Sequence, residues 1–231
     1  MNDYIYSPTD NLSALVTAQP ELLLTLSHFG IPMGFGDKTI AQVCHENGVN
    51  PEFFLLICQV YSNDNFLPSQ HEIMDTPMDG LVPYLLQSHD YYLNRRLPHI
   101  EHHLDKIASM LPERTGLAIK RFFKDYLNEV RQHFEQEENI VYPHISRLVN
   151  HEPDDHFTIK SYLDNHENLD DKLSDLVQII FKYLPASSSD DDSIDMIFDI
   201  LQLSQDLRKH SLIEDKILGP FVKHLEKKSK V

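Results

Sequence analysis

Four stretches of this sequence, near residues 79–109, 116–145, 157–184 and 193–219, repeat apolar residues at alternating steps of three and four. That period matches one face of an α-helix and no face of a strand. Each gap carries stop and start signals: Leu111-Pro112 with Gly116, then Pro153-Asp154-Asp155, then Pro185 with Ser187 to Asp192. Gly219-Pro220 reads as the end of the fourth stretch. Helices of this length with short connections predict an up-down-up-down four-helix bundle. Only seven glycines occur among 231 residues, and no segment alternates as a half-buried strand does, so the chain is expected to be all-α.

The apolar stripes are interrupted in one way only. The first reads Val82, Leu86, His89, Leu93, Ile100, Leu104, Ile107, and the second Tyr126, Val130, His133, Glu137, Ile140. The third reads Ile159, Tyr162, His166, Leu169, Leu173, Leu176, Ile180, and the fourth Ile197, Ile200, Leu203, Leu207, His210, Glu214, Ile217. Every stripe thus contains a histidine, and two add a glutamate one turn further on. A buried carboxylate without a compensating charge costs several kcal/mol, roughly. Glu137 and Glu214 on separate stripes therefore call for a shared cation. His89 and His166 lie near the starts of their helices, the other four residues toward the ends of theirs. In an antiparallel bundle rising ~1.5 Å per residue, all six side chains fall within about two turns of one level.

Six ligands made of imidazole and carboxylate suit iron or manganese better than structural zinc, which favours four-coordinate, often thiolate-rich sites. Four histidines and two glutamates can hold two ions, each glutamate bridging them. Two histidines per ion plus shared oxygens leave a coordination position open to oxygen or nitric oxide. Other polar residues fall outside this pattern. His99 and His103, and His151 with Asp155, read as surface or loop pairs. His144, after Tyr142-Pro143, reads as structural and past the kink or end of its helix, and Tyr126 and Tyr162 read as core packing.

Before the bundle, Asn63, Asn65, Pro68, Ser69, Pro77 and Gly80 mark a break near residues 64–80. The division expected is a small helical N-terminal domain over 1–70 and a bundle over 78–228. In the N-terminal part Thr39 and Gln42 form a capping box, Gly48 closes that helix, and Asn50-Pro51 opens the next. Cys44 and Cys58 lack metal or redox spacing and read as free thiols of a reducing compartment. Thirty-six acidic against 20 basic residues give a formal charge of −16, which repels phosphate backbones and argues against nucleic-acid binding. With no apolar run of ~20 residues and no leader pattern, the expectation is a cytoplasmic protein without a membrane partner.

The segment His133-Phe134-Glu135-Gln136-Glu137-Glu138, followed by Ile140-Val141-Tyr142-Pro143, resembles the H-x-x-x-E-E-x-x-x-[FY]-P motif of hemerythrin-like domains. His210-Ser211-Leu212-Ile213-Glu214, followed by Ile217-Leu218, resembles its second copy, and His89 and His166-Glu167 match the two isolated histidines. The stretch from Phe29 to Cys44 is similar to the small domain preceding the bundle in repair-of-iron-centres proteins, which are linked to recovery of iron–sulfur clusters after nitrosative or oxidative damage. The resemblance implies two non-haem iron ions, oxo- or hydroxo-bridged, with His89, His133, His166 and His210 as ligands and Glu137 and Glu214 as bridges; manganese or zinc are conceivable substitutes. It implies a cytoplasmic stress-response role with damaged iron–sulfur proteins as partners. Two departures stand out. Gly34-Phe35 occupies the place where repair-family members commonly carry adjacent cysteines, which puts any thiol task of that domain in doubt. Asp170 stands four residues after His166, where oxygen carriers have a further histidine, which disfavours simple oxygen carriage. Three function classes follow from the sequence: support of iron–sulfur cluster repair; sensing, binding or storage of oxygen, nitric oxide or iron without repair; or a metal-free interaction bundle. The exposed-looking turn from Met33 to Asp37 suggests a docking surface or a homodimer contact.

Overall fold

The computed structural model describes residues 6–152, 157–164, 169, 171–184 and 191–229. Among them the chain is all-helical, with one isolated bridge between Asn11 and Thr39 in place of any strand. The helices are α1 (Leu12–Ala18), α2 (Leu22–His28), α3 (Ile40–Glu46), α4 (Pro51–Ser62), α5 (Gln70–Asp75) and α6 (Leu81–Tyr91). They continue as α7 (Leu97–Met110), α8 (Glu113–Gln136), α9 (Tyr142–Val149), α10 (Ile159–Leu163), α11 (Asp171–Tyr183), α12 (Asp191–Ile213) and α13 (Gly219–Lys228). Among the described residues, three segments wind as π-helix: π1 (Tyr92–Arg96) joins α6 to α7, π2 (Glu137–Val141) joins α8 to α9, and π3 (Glu214–Leu218) joins α12 to α13.

The chain divides into two compact units. The first comprises residues 1–88, 144–165 and 209–231. Its N-terminal helices start where side chains satisfy their first amides. Thr39 and Gln42 close the expected capping box, and Asn50 accepts from the amides of Glu52 and Phe53 with Pro51 in the first turn. Gly48 follows α3 at φ 69°, a left-handed conformation that glycine adopts without penalty. Phe29 packs against Phe53, Phe54 and Tyr84 with ring centroids 5.7, 5.2 and 4.6 Å away. Each buried aromatic or aliphatic chain of this core contributes about 1.5–3 kcal/mol. The expected break holds a helix that the reading of the sequence passes over: Ser69 and Glu72 cap α5, and α5 packs on α13. The division expected between residues 70 and 78 falls inside this first unit.

The second unit comprises residues 89–143 and 166–208. Its core is one cluster drawn from four helical segments, as a bundle requires. Leu97, Ile100 and Leu104 of α7 meet Phe123, Val130 and Phe134 of α8, Leu173, Leu176 and Ile180 of α11, and Ile200, Leu203 and Leu207 of α12. Leu111-Pro112 makes the tight connection between α7 and α8, which pack along each other.

Two expectations need correction, and the widened π turns bear on both. The stripes assumed an unbroken 3.6 period. Ile140 is 43% exposed while Val141 is fully buried, because π2 adds a residue to the turn and rotates the following positions. In the first stripe Leu86 is 40% exposed for another reason: it precedes π1, and the buried face of regular α6 runs through Leu81 and Leu85 to Tyr92. The fourth stretch does not end at Gly219-Pro220. The helix runs on to Lys228, with Pro220 in the first turn of α13, where a missing N–H is tolerated. The second stretch likewise continues through Pro143 to Val149. His144 is buried within that continuation, its Nε2 bonded to Glu226.

Candidate metal centre

Each π segment stands in the same register to a proline. The amides of Leu97, Tyr142 and Gly219 donate to the carbonyls of Tyr92, Glu137 and Glu214, five residues back, and each donor is followed by a proline: Pro98, Pro143 and Pro220. A proline inside a regular helix would lose its own bond and clash with the carbonyl four residues earlier. Widening the preceding turn relieves that clash. Glu137 and Glu214 thus open their π segments, and their backbone carbonyls are the anchored acceptors. π-Bulges recur at functional sites.

Within the second unit, three of the expected ligands converge. Glu137 is fully buried and presents one oxygen to each of two imidazoles. Its Oε1 lies 2.8 Å from His133 Nε2 and its Oε2 lies 3.1 Å from His89 Nε2. His89 is 1% exposed and His133 12%. The His89 ring stacks on Phe134 with centroids 3.8 Å apart and planes at 9°, which fixes its tilt. Its Nδ1 lies 2.9 Å from Glu138 Oε1. A carboxylate only accepts, so Nδ1 carries the proton toward Glu138. Tyr142 reaches Nε2 at 3.3 Å with a hydroxyl able to donate to a lone pair.

Within the first unit the second copy repeats the pattern. His210 Nε2 stands 3.5 Å from Glu214 Oε1, and both residues are buried. His210 Nδ1 lies 2.9 Å from Ser88 Oγ, whose own proton goes to the Leu85 carbonyl at 2.7 Å. The hydroxyl therefore accepts from Nδ1–H, and the lone pair of His210 is left on Nε2. Both histidines are thus held in the tautomer that a metal ligand needs, by the kind of outer partner that orients metal-bound imidazoles.

The residues fit a cation by donor chemistry. In each copy an Nε2 oriented as an electron-pair donor faces a carboxylate oxygen, and two such groups sit together favourably only around a positive charge. His89, His133, Glu137, His210 and Glu214 all figure among the His and Glu groups able to hold a metal ion. No thiolate takes part, which suits iron or manganese. His166 and Asp170 lie outside the described residues.

Four supports of this site escaped the reading of the sequence. Glu138 and Tyr142 had a signal, as the second glutamate of the Glu137-Glu138 doublet and the aromatic before Pro143 in the same motif, while Ser88 and Phe134 carry none beyond their neighbours. Tyr126 and Tyr162 are buried in the packing, and His99 is half-exposed and paired with Asp199 at 3.0 Å. His151 lies exposed in the turn after α9 at φ 60°; Asp155 lies outside the described residues.

A family model described as hemerythrin HHE cation binding domain matches residues 81–222. A search of curated proteins returns no match.

Proposed function

Because the chain belongs to the hemerythrin HHE cation-binding family, we propose that His89, His133, Glu137, His166, His210 and Glu214 hold a pair of non-haem iron ions, and that this di-iron site supports repair of iron–sulfur clusters after nitrosative or oxidative stress. The observation that carries the metal assignment is the repeated pairing of a buried imidazole Nε2 with a buried glutamate, its Nδ1 tied elsewhere. The all-nitrogen and oxygen donor set supports iron over structural zinc. When bound, the pair supplies redox chemistry and a position open to small diatomic ligands such as oxygen or nitric oxide.

The chain's own residues do the rest. Glu138 and Ser88 hold the two Nδ1 protons and so keep the Nε2 lone pairs directed at their glutamates. Phe134 and Tyr142 flank the His89 ring and keep bulk water from it. Support for a repair role comes from the N-terminal stretch and its likeness to the domain that precedes the bundle in repair proteins. Damaged iron–sulfur proteins are then the partners, the cytoplasm the setting, and the turn from Met33 to Asp37 the place for docking or for a second copy. Met33 is 62% exposed there.

The absence of a cysteine pair at Gly34-Phe35 favours a second reading, in which the same site senses or binds diatomic gases, or stores iron, without repair. Metal analysis and an optical spectrum of purified, iron-loaded protein test the site: near-ultraviolet ligand-to-metal bands are expected, and their loss in Glu137→Ala and Glu214→Ala. A strain lacking the protein tests the role, because cluster-enzyme activity should recover slowly after nitric oxide. An unaltered recovery time, with tight reversible gas binding by the reduced protein, decides for the second reading.

A further inference from the structure

The α12–π3 run that carries His210 and Glu214 also carries two lysines that reach back to the turn after α4. Lys209, next to His210, is 8% exposed, and its Nζ lies 2.5 Å from Asp64 Oδ1 and 5.8 Å over the Tyr61 ring. Lys216, two residues past Glu214 and inside π3, donates to the carbonyls of Asp64 at 2.5 Å and Phe66 at 2.9 Å. The turn is internally braced: Asn63 Oδ1 accepts the Asn65 amide at 3.0 Å, and the Phe66 amide donates to the Asn63 carbonyl at 2.9 Å. All of these residues belong to the first unit.

From this geometry we propose that the Asn63–Phe66 turn is a positioning clamp for the His210–Glu214 half of the metal site, with Lys216 as its main positioning residue. The assignment rests on the metal reading above. A π turn is rarer and less regular than an α turn; Pro220 disfavours the α alternative at its own position, and contacts from a neighbouring segment add to that hold. Reversion shifts the following residues by one position, which turns side chains by roughly 100° about the axis. The Lys216 ammonium meets two carbonyls of one turn only in the present register, so that chelation favours π3 over its α alternative. Keeping π3 keeps the Gly219 amide on the Glu214 carbonyl, and with it the direction in which the Glu214 carboxylate leaves the backbone. Lys209 holds the same turn from the other side of His210 through a partly buried ion pair with Asp64. The N-terminal helices thereby set how firmly the second copy of the motif holds its metal.

The test uses the full chain with Lys216→Met, which keeps the aliphatic stem and removes the donors, Lys216→Arg as the conservative variant, and Asp64→Asn as a second entry into the same clamp. Two readouts are taken. In metal-free protein, hydrogen exchange of the Gly219 amide should quicken in Lys216→Met, while the corresponding Leu97 and Tyr142 amides of π1 and π2 stay unchanged. In iron-loaded protein, release of iron to a chelator should quicken by between about tenfold and a hundredfold, with a shifted near-ultraviolet band. Lys216→Arg should recover both. Unchanged Gly219 exchange in Lys216→Met overturns the clamp, as does iron release equal to that of the unmodified protein. If Lys216→Met does not fold, Asp64→Asn, which weakens the turn's ion pair and leaves the backbone carbonyls in place, should show the same two changes in smaller degree, and equality with the unmodified protein overturns the proposal. Should the unmodified chain take up no iron, the metal reading fails, and the exchange measurement alone still decides for or against the clamp.

Discussion

At the scale of single residues, the site depends on protons held away from the metal side of each ring. Glu138 is 40% exposed and makes no metal contact in this scheme, yet it fixes the tautomer of His89. Glu138→Ala should therefore lower iron retention by about tenfold to a hundredfold while shifting metal-free stability little. Chelator competition and denaturant unfolding of the same variant separate the two effects. A second prediction concerns Cys44 and Cys58, both buried. Burial pushes the Cys44 thiol from its ordinary 9.0 up to about 12, and burial together with the neighbouring Cys44 raises Cys58 well above the usual range. The fold favours the neutral thiols, so this contribution to stability is complete below pH 9 and is lost as pH rises through the folded-state values. Thiol-specific reagents should leave both cysteines unmodified in native protein at pH 8, and unfolding midpoints should fall above pH 9. Rapid native labelling would show that the thiols are accessible. A redox task at these two positions is correspondingly disfavoured.

At the scale of elements, the local signals of the N-terminal part were legible: Thr39 with Gln42 and Asn50 with Pro51 cap α3 and α4 where the sequence places them. The same signal at Ser69 and Glu72 was present and overlooked among the turn-forming residues around it, and there the Ser69 hydroxyl and amide hold the Glu72 carboxylate below its usual range. Ser69→Ala should cost about 0.5–2 kcal/mol of stability and return the Glu72 titration toward its ordinary value, measurable by unfolding and by carboxyl titration. Because that carboxyl is held low, its contribution is present at neutral pH and fades as pH falls through the acid range. What the sequence could not reveal was the π turns. A stripe argument assumes one residue count per turn; under that assumption Gly219-Pro220 read as the end of the fourth stretch and Pro143 as a kink or end of the second, while Pro98 lay unremarked inside the first. Helical continuation past Pro143 to Val149 and past Pro220 to Lys228 became visible only with the widened turns in view. The six seam residues stood out regardless, because burial of histidine and glutamate is chemically expensive wherever the helix ends.

For the whole molecule, metal and fold are linked. Ions that bind the native chain alone stabilise it in proportion to the logarithm of their concentration over the dissociation constant. Iron-loaded protein should therefore melt higher than chelator-treated protein, and the difference should shrink in Glu137→Ala and Glu214→Ala; equal melting temperatures would sink the metal assignment. The widened turns bear on this linkage through a directional constraint. For π2 to migrate one residue toward the C-terminus, Pro143 would have to donate an N–H to the Glu138 carbonyl, and π3 would ask the same of Pro220 toward Asp215. Neither proline has one to give. Each imino acid thus works as a pawl behind its glutamate: sliding onward is blocked, and the acid that opens the turn stays at its mouth whether or not an ion has arrived.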